Sequence, residues 1–128
     1  MKLRILFDYG ADFLWLSDDG MYTDVHINSD GYFESNYYFP TQSHEVWKYP
    51  EERLKGQYEL ERKVNYINET YPKLFIDNEV EFSYRGFDSE EDERIFDDAV
   101  RFVYKKLVEL LGDDYEITNK TTIDMLIE

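Results

Sequence analysis

Asp24, His26, Asn28 and Asp30 alternate with Val25, Ile27 and Ser29, so an extended strand would place all four on one face. An imidazole among carboxylates is the chemistry of a metal site or of a general acid–base pair. The segment fails as a calcium loop, because Tyr37 stands six residues beyond Gly31, where a bidentate Glu is required. The same alternation also describes the solvent face of a strand entering a turn. His44, the second histidine, is separated from His26 by a strand and a loop. With 29 acidic residues in the chain, a carboxylate beside either histidine is expected by chance. Asp8, Asp12, Asp18 and Asp19 gather near the end of the first strand, in the manner of Mg²⁺-binding carboxylates. A nuclease built on them would also need a positive surface to hold its substrate, and solvated loop acids explain them as well. The chain has no Cys, no Gly-x-Ser-x-Gly elbow and no Gly-rich phosphate loop.

Charge and aromaticity are the stronger signals. The 128 residues carry 29 acids against 14 Lys and Arg, a formal charge of −15. Such a surface repels a phosphate backbone and anionic membranes, and steers a basic protein toward itself. Residues 88–98 hold seven acids and one Arg94. Glu90 to Glu93 answer the positive end of a helix, whereas Asp97 and Asp98 lie beyond the first turn. Asp88, Glu91, Asp97 and Asp98 therefore form a candidate acidic ridge for a basic partner. Aromatics make up 18% of the chain, with Tyr37-Tyr38-Phe39 and Trp47-Lys48-Tyr49 on either side of the Pro40 loop. Tyr and Trp concentrate at interface hot spots, so Tyr37, Trp47 and Tyr49 are candidate contact residues.

The elements that would position these residues follow from hydrophobic period and turn chemistry. Residues 2–9 read as a strand with Leu3, Ile5 and Phe7 on one side, and 13–16 as a strand or a buried turn. Residues 21–27 and 32–39 form a hairpin across Asn28-Ser29-Asp30-Gly31. Residues 40–50 read as a connection, and a helix is expected from Pro50 to Thr70 with Leu54, Tyr58, Glu61, Val64 and Ile67 in one stripe. Two short strands, 73–77 and 80–84, precede a helix over 89–111. Ser89 is its N-cap, Gly112 its C′ residue, and Ile95, Ala99, Phe102, Val103, Leu107, Leu110 and Leu111 its buried face. Residues 115–119 and 122–127 read as a last strand or hairpin. The order β-β-β-α-β-β-α-β gives an α+β fold, a mostly antiparallel sheet packed with two main helices. The length fits a single domain over 1–128. The N-terminus lacks the ~7–15 apolar residues of a signal peptide, and no stretch approaches the ~20 of a membrane span, so a cytoplasmic protein is expected.

The opening strand through Phe7-Asp8-Tyr9-Gly10, then Leu14-Trp15 and Asp18-Asp19-Gly20, resembles small acidic bacterial immunity-type proteins encoded beside toxins. The likeness spans the first 20 residues; the remainder shares size, acidity and layout. It implies an antidote that occupies a basic toxin's active site, and it assigns no binding residue. The expected function is thus a non-enzymatic acidic protein-binding module, an immunity-type inhibitor of a basic toxin or nucleic-acid enzyme. It needs no cofactor and makes no direct contact with nucleic acid or membrane. The alternative is a small metal-dependent hydrolase using Asp24, His26 and Asp30.

Overall fold

The computed structural model describes residues 1–17, 20–35, 47–77 and 80–120. Strands β1 (Lys2–Ile5), β2 (Leu14–Ser17), β3 (Thr23–Asn28), β4 (Tyr32–Ser35) and β5 (Trp47–Pro50) precede helix α1 (Tyr58–Thr70). Then come β6 (Phe75–Asp77), β7 (Phe82–Tyr84), helix α2 (Glu90–Leu111) and β8 (Glu116–Asn119). Six strands form one sheet in the order β5-β4-β3-β2-β1-β8, and β6 and β7 form a separate hairpin. All pairings are antiparallel except β1 with β8. This is the expected α+β fold, a mostly antiparallel sheet with two helices packed on it.

Alternation on each strand decides which face the helices cover. Leu3, Ile5, Leu14, Leu16, Val25, Ile27 and Phe33 point inward and are buried. Against them lie Leu60, Val64 and Ile67 of α1 and Phe96, Ala99, Val100, Val103, Leu107 and Leu111 of α2, in one apolar cluster. The other face carries Arg4, Trp15 and Asp24 in one cross-strand row, and His26, Glu34 and Lys48 in another.

The β3–β4 turn forms as its residues dictate. The Gly31 N–H donates to the Asn28 carbonyl at 3.0 Å and the Asp30 N–H to Asn28 Oδ1 at 2.8 Å. Gly31 takes φ +106°, where an L side chain is strained, and a Cβ there would stand 3.5 Å from the Glu51 carbonyl oxygen. Glu61 of α1 accepts the Ser29 N–H at 2.7 Å, so this residue of the expected helical stripe holds the turn onto the helix.

Several boundaries differ from expectation. β1 stops at Ile5, and the segment expected at 13–16 is strand rather than buried turn, with bounds Leu14–Ser17. Residues 47–50, expected within the connection, form edge strand β5, and Pro50 is its last residue rather than the start of a helix. An edge position tolerates Pro because no ladder N–H is needed there. A short 3₁₀ turn, Glu52–Leu54, follows, and Gly56 at φ +78° interrupts any right-handed continuation, so α1 starts only at Tyr58. At the other end of the fold, Ser89 caps α2 as expected, accepting the Asp92 N–H at 3.1 Å. Its buried face is turned slightly from the expected one: Phe96 and Val100 are buried, while Ile95 is 44% exposed. Gly112 has φ −62°, an ordinary helical value and not a left-handed one. Residues 36–46 and 121–128, including the end of the expected 32–39 strand and the expected 122–127 strand, lie outside the described residues.

One polar network closes the core at the end where β8 begins. The Tyr115 hydroxyl donates to Glu51 Oε2 at 2.8 Å, and Arg53 donates to Glu51 at 2.8 Å and to Asp114 at 2.6 Å. Arg53 holds the Glu51 carboxyl below its usual range, and burial beside that carboxylate pushes the Tyr115 hydroxyl well above the usual phenol range. Tyr115→Phe should cost about 1 kcal/mol, because Arg53 still satisfies Glu51. Leu107→Ala, at a site with no exposure, should cost about 2–5 kcal/mol. Urea unfolding checks both, with the slope expected to stay unchanged.

Candidate functional site

Sheet register, rather than sequence spacing, chooses the partners of His26. Its Nδ1 lies 3.5 Å from Asp12 Oδ2, and its Nε2 lies 3.3 Å from Glu34 Oε2 on the neighbouring strand. Glu34 also accepts from Asn28 at 2.7 Å and lies 3.6 Å from Lys48 Nζ. Asp24 instead accepts the backbone N–H of Asp12 at 3.0 Å, and Asp30 stays exposed in the turn. The alternative ligand set of Asp24, His26 and Asp30 is therefore not assembled. Among the described residues no group of three His, Asp or Glu is arranged to hold a metal ion. Asp12 first, and Glu34 with it, favour the imidazolium, so the His26 pKa is raised despite its partial burial. The trio is an electrostatic clamp joining β3, β4 and the segment before β2.

The acidic ridge lies along α2 and is more evenly charged than the run 88–98 suggested. Asp88 pairs with Arg85, Glu91 lies 3.4 Å from Arg94, and Asp97 lies 3.4 Å from Arg101. Asp98 is exposed and Asp97 half-buried. Helical spacing brings Arg101 beside Asp97, which a count over 88–98 leaves out. Tyr49, a candidate of the aromatic loop, packs against the core. Tyr37 and the Trp47 side chain lie outside the described residues.

Exposed aromatics lie elsewhere: Tyr58, 67% exposed, stands alone at the start of α1, and a group gathers on the β6–β7 hairpin. Phe82 and Tyr84 are each 57% exposed, and Tyr9, from the loop after β1, is 37% exposed beside them. These rings continue a chain of contacts that starts inside the protein. Phe7 stacks on Tyr71 at 4.6 Å, and Tyr71 meets Phe75 edge-on at 5.2 Å. Phe75 in turn stacks on Phe82 at 5.6 Å and meets Tyr84 at 5.4 Å, while Tyr9 meets both Phe75 and Phe82. Such contacts hold the exposed rings in fixed orientations, beyond what area burial alone contributes. The hairpin is closed at its base by the Leu74 carbonyl, which accepts the N–H groups of Arg85 and Gly86 at 2.7 and 3.1 Å.

Carboxylates border this patch. Tyr9 donates its hydroxyl to Asp77 Oδ2 at 2.8 Å, and that bond raises the Tyr9 pKa. Burial raises the Tyr71 and Tyr84 hydroxyl values, with Asp8 adding to the first and Glu93 to the second. An exposed aromatic surface rimmed by charge is the composition of an interface centre with its polar edge. Phe82 and Tyr84 alternate on one strand, on the side that Phe75 shares across the hairpin, so the sequence shows which side they take but not that it is left uncovered.

The His26 clamp makes a pH prediction. A group whose pKa is raised on folding adds stability that is full below its unfolded value, about 6.5. That stability is lost as pH rises through the higher folded value. Wild type should therefore lose stability relative to His26→Gln between mildly acidic and mildly alkaline pH. Parallel urea melts of the two proteins across that range should show the gap closing as pH rises.

Comparison with known proteins found no matching family model, no matching curated protein and no matching solved structure.

Proposed function

We propose that this protein is a non-enzymatic acidic binding module that masks a basic protein, in the manner of an immunity-type inhibitor of a toxin or nucleic-acid enzyme. The observation that carries the reading is the exposed ring cluster of Tyr9, Phe82 and Tyr84, bordered by Asp77, Asp8 and Glu93. Apolar rings supply contact area that is released from water on docking, and few side-chain rotations have to be frozen. The carboxylates and the −15 charge supply long-range attraction for a cationic surface. An enzyme that binds phosphate presents such a surface, and carboxylates can occupy the places where phosphates would sit. On α2, where Glu91 and Asp97 pair with Arg94 and Arg101, the exposed Asp98 adds to the negative surface.

Capture on the immobilised protein from lysate of its source cell, at low and high salt, tests this reading. A basic partner should be retained at low salt and released at high salt. Phe82→Ala/Tyr84→Ala should lose most of it, and Asp98→Lys should weaken it less. Purified wild-type protein should then inhibit the partner's activity at equimolar ratio. A partner held equally by the double variant, or left fully active at excess inhibitor, would overturn the proposal.

A further inference from the structure

Among the described residues three cations lie over rings. Arg4 sits 4.3 Å from the Tyr22 ring and donates to its hydroxyl, whereas Arg53 and Lys48 also meet carboxylates, and the hairpin has rings and a carboxylate without a cation. Arg53 lies 5.8 Å from the Tyr115 ring centre while its guanidinium donates to the Glu51 and Asp114 carboxylates. Lys48 lies 5.4 Å from the Tyr32 ring while 3.6 Å from Glu34. Each is an aromatic face with carboxylate beside it. On the hairpin, Phe82, with Phe75 and Tyr9 packed beside it, and Tyr84 are each 57% exposed, and Asp77 on the adjoining strand shares their side while accepting the Tyr9 hydroxyl. Among the described residues no Lys or Arg lies over any of these rings, the nearby Arg85 being paired with Asp88.

We propose that the hairpin face formed by Phe82 and Tyr84, with Asp77 at its rim, receives an arginine side chain of the basic partner. The inference rests on the binding reading above and adds the chemistry of the group that is bound. A guanidinium is planar and weakly hydrated, so it can stack on a ring while its N–H edge meets a carboxylate. A lysine ammonium is a compact, strongly hydrated charge and gains less from the same surface. A second copy of this chain is disfavoured as the occupant, because each copy brings a charge of −15 and the same acidic rim.

The test uses the 128-residue chain and two probes of equal charge, hexa-arginine and hexa-lysine, titrated at low ionic strength and followed by amide and aromatic NMR shifts. Hexa-arginine should bind at least about threefold tighter, the scale of an exposed cation–π contact, and should move the Phe82 and Tyr84 signals most. Phe82→Leu keeps apolar volume without a ring and should bring the two affinities together, with residual binding weakened by salt. Phe82 is over half exposed, so this variant should fold, which amide spectra verify. Equal affinity of the two peptides for wild type, or an arginine preference that survives Phe82→Leu, would overturn the arginine assignment and leave the basic-partner reading standing. If neither peptide binds, both fall. Concentration-dependent self-association that shifts the same signals without peptide would assign the face to a second copy and overturn the inference.

Discussion

A six-stranded sheet with one apolar face must be covered across its width, and this requirement organises the rest of the molecule. Strands about 4.8 Å apart give a sheet roughly 24 Å across. The 22-residue α2 is about 33 Å long, enough to cross it, and the shorter α1 fills the space over β3. The buried stripe of α2 runs from Phe96 to Leu111, and the Glu51–Arg53–Asp114–Tyr115 network anchors the end of that stripe. That network joins the segment after one edge strand, β5, to the segment before the other, β8.

Covering one face leaves two surfaces to solvent. The outer sheet face carries Trp15 among polar side chains, several of which meet one another, as His26 does Asp12 and Glu34. The β6–β7 hairpin is outside the main sheet, and its aromatic side continues the core outward through Phe7, Tyr71 and Phe75. Rings held by the core at one end and open to water at the other are well suited to recognition, since little further ordering is needed on docking. No described helix is long and apolar enough to cross a membrane.

The His26 surroundings show why the chemistry of a strand is hard to read along the chain. Asp24 and His26 share a face, yet residues two apart on a strand are separated by about 6.6 Å. Cross-strand neighbours are closer, about 4.5–5.5 Å between Cβ atoms, so Glu34 reaches the imidazole and Asp24 turns to a backbone N–H instead. The hairpin shows the converse. Its strands were legible from Phe75, Ile76, Phe82 and Tyr84, but their exposure depends on which layer lies over them, and the chain order does not encode that directly.

Local chemistry was enough for much of this protein. Ser89 ahead of four acids specifies where α2 starts, Asn28-Ser29-Asp30-Gly31 specifies a turn, and alternation marks Val25 and Ile27 as inward. These depend on groups within a few residues, where backbone geometry fixes who meets whom. The start of α1, the strand at 47–50, the partners of His26 and the open aromatic face depended on long-range packing. Gly56 shows the boundary between the two: a glycine within a helical stripe is tolerable by propensity. Only the docking of the preceding turn onto β3 and β4, through the Gly56 N–H and the Ser29 carbonyl at 2.8 Å, turns it out of the helix.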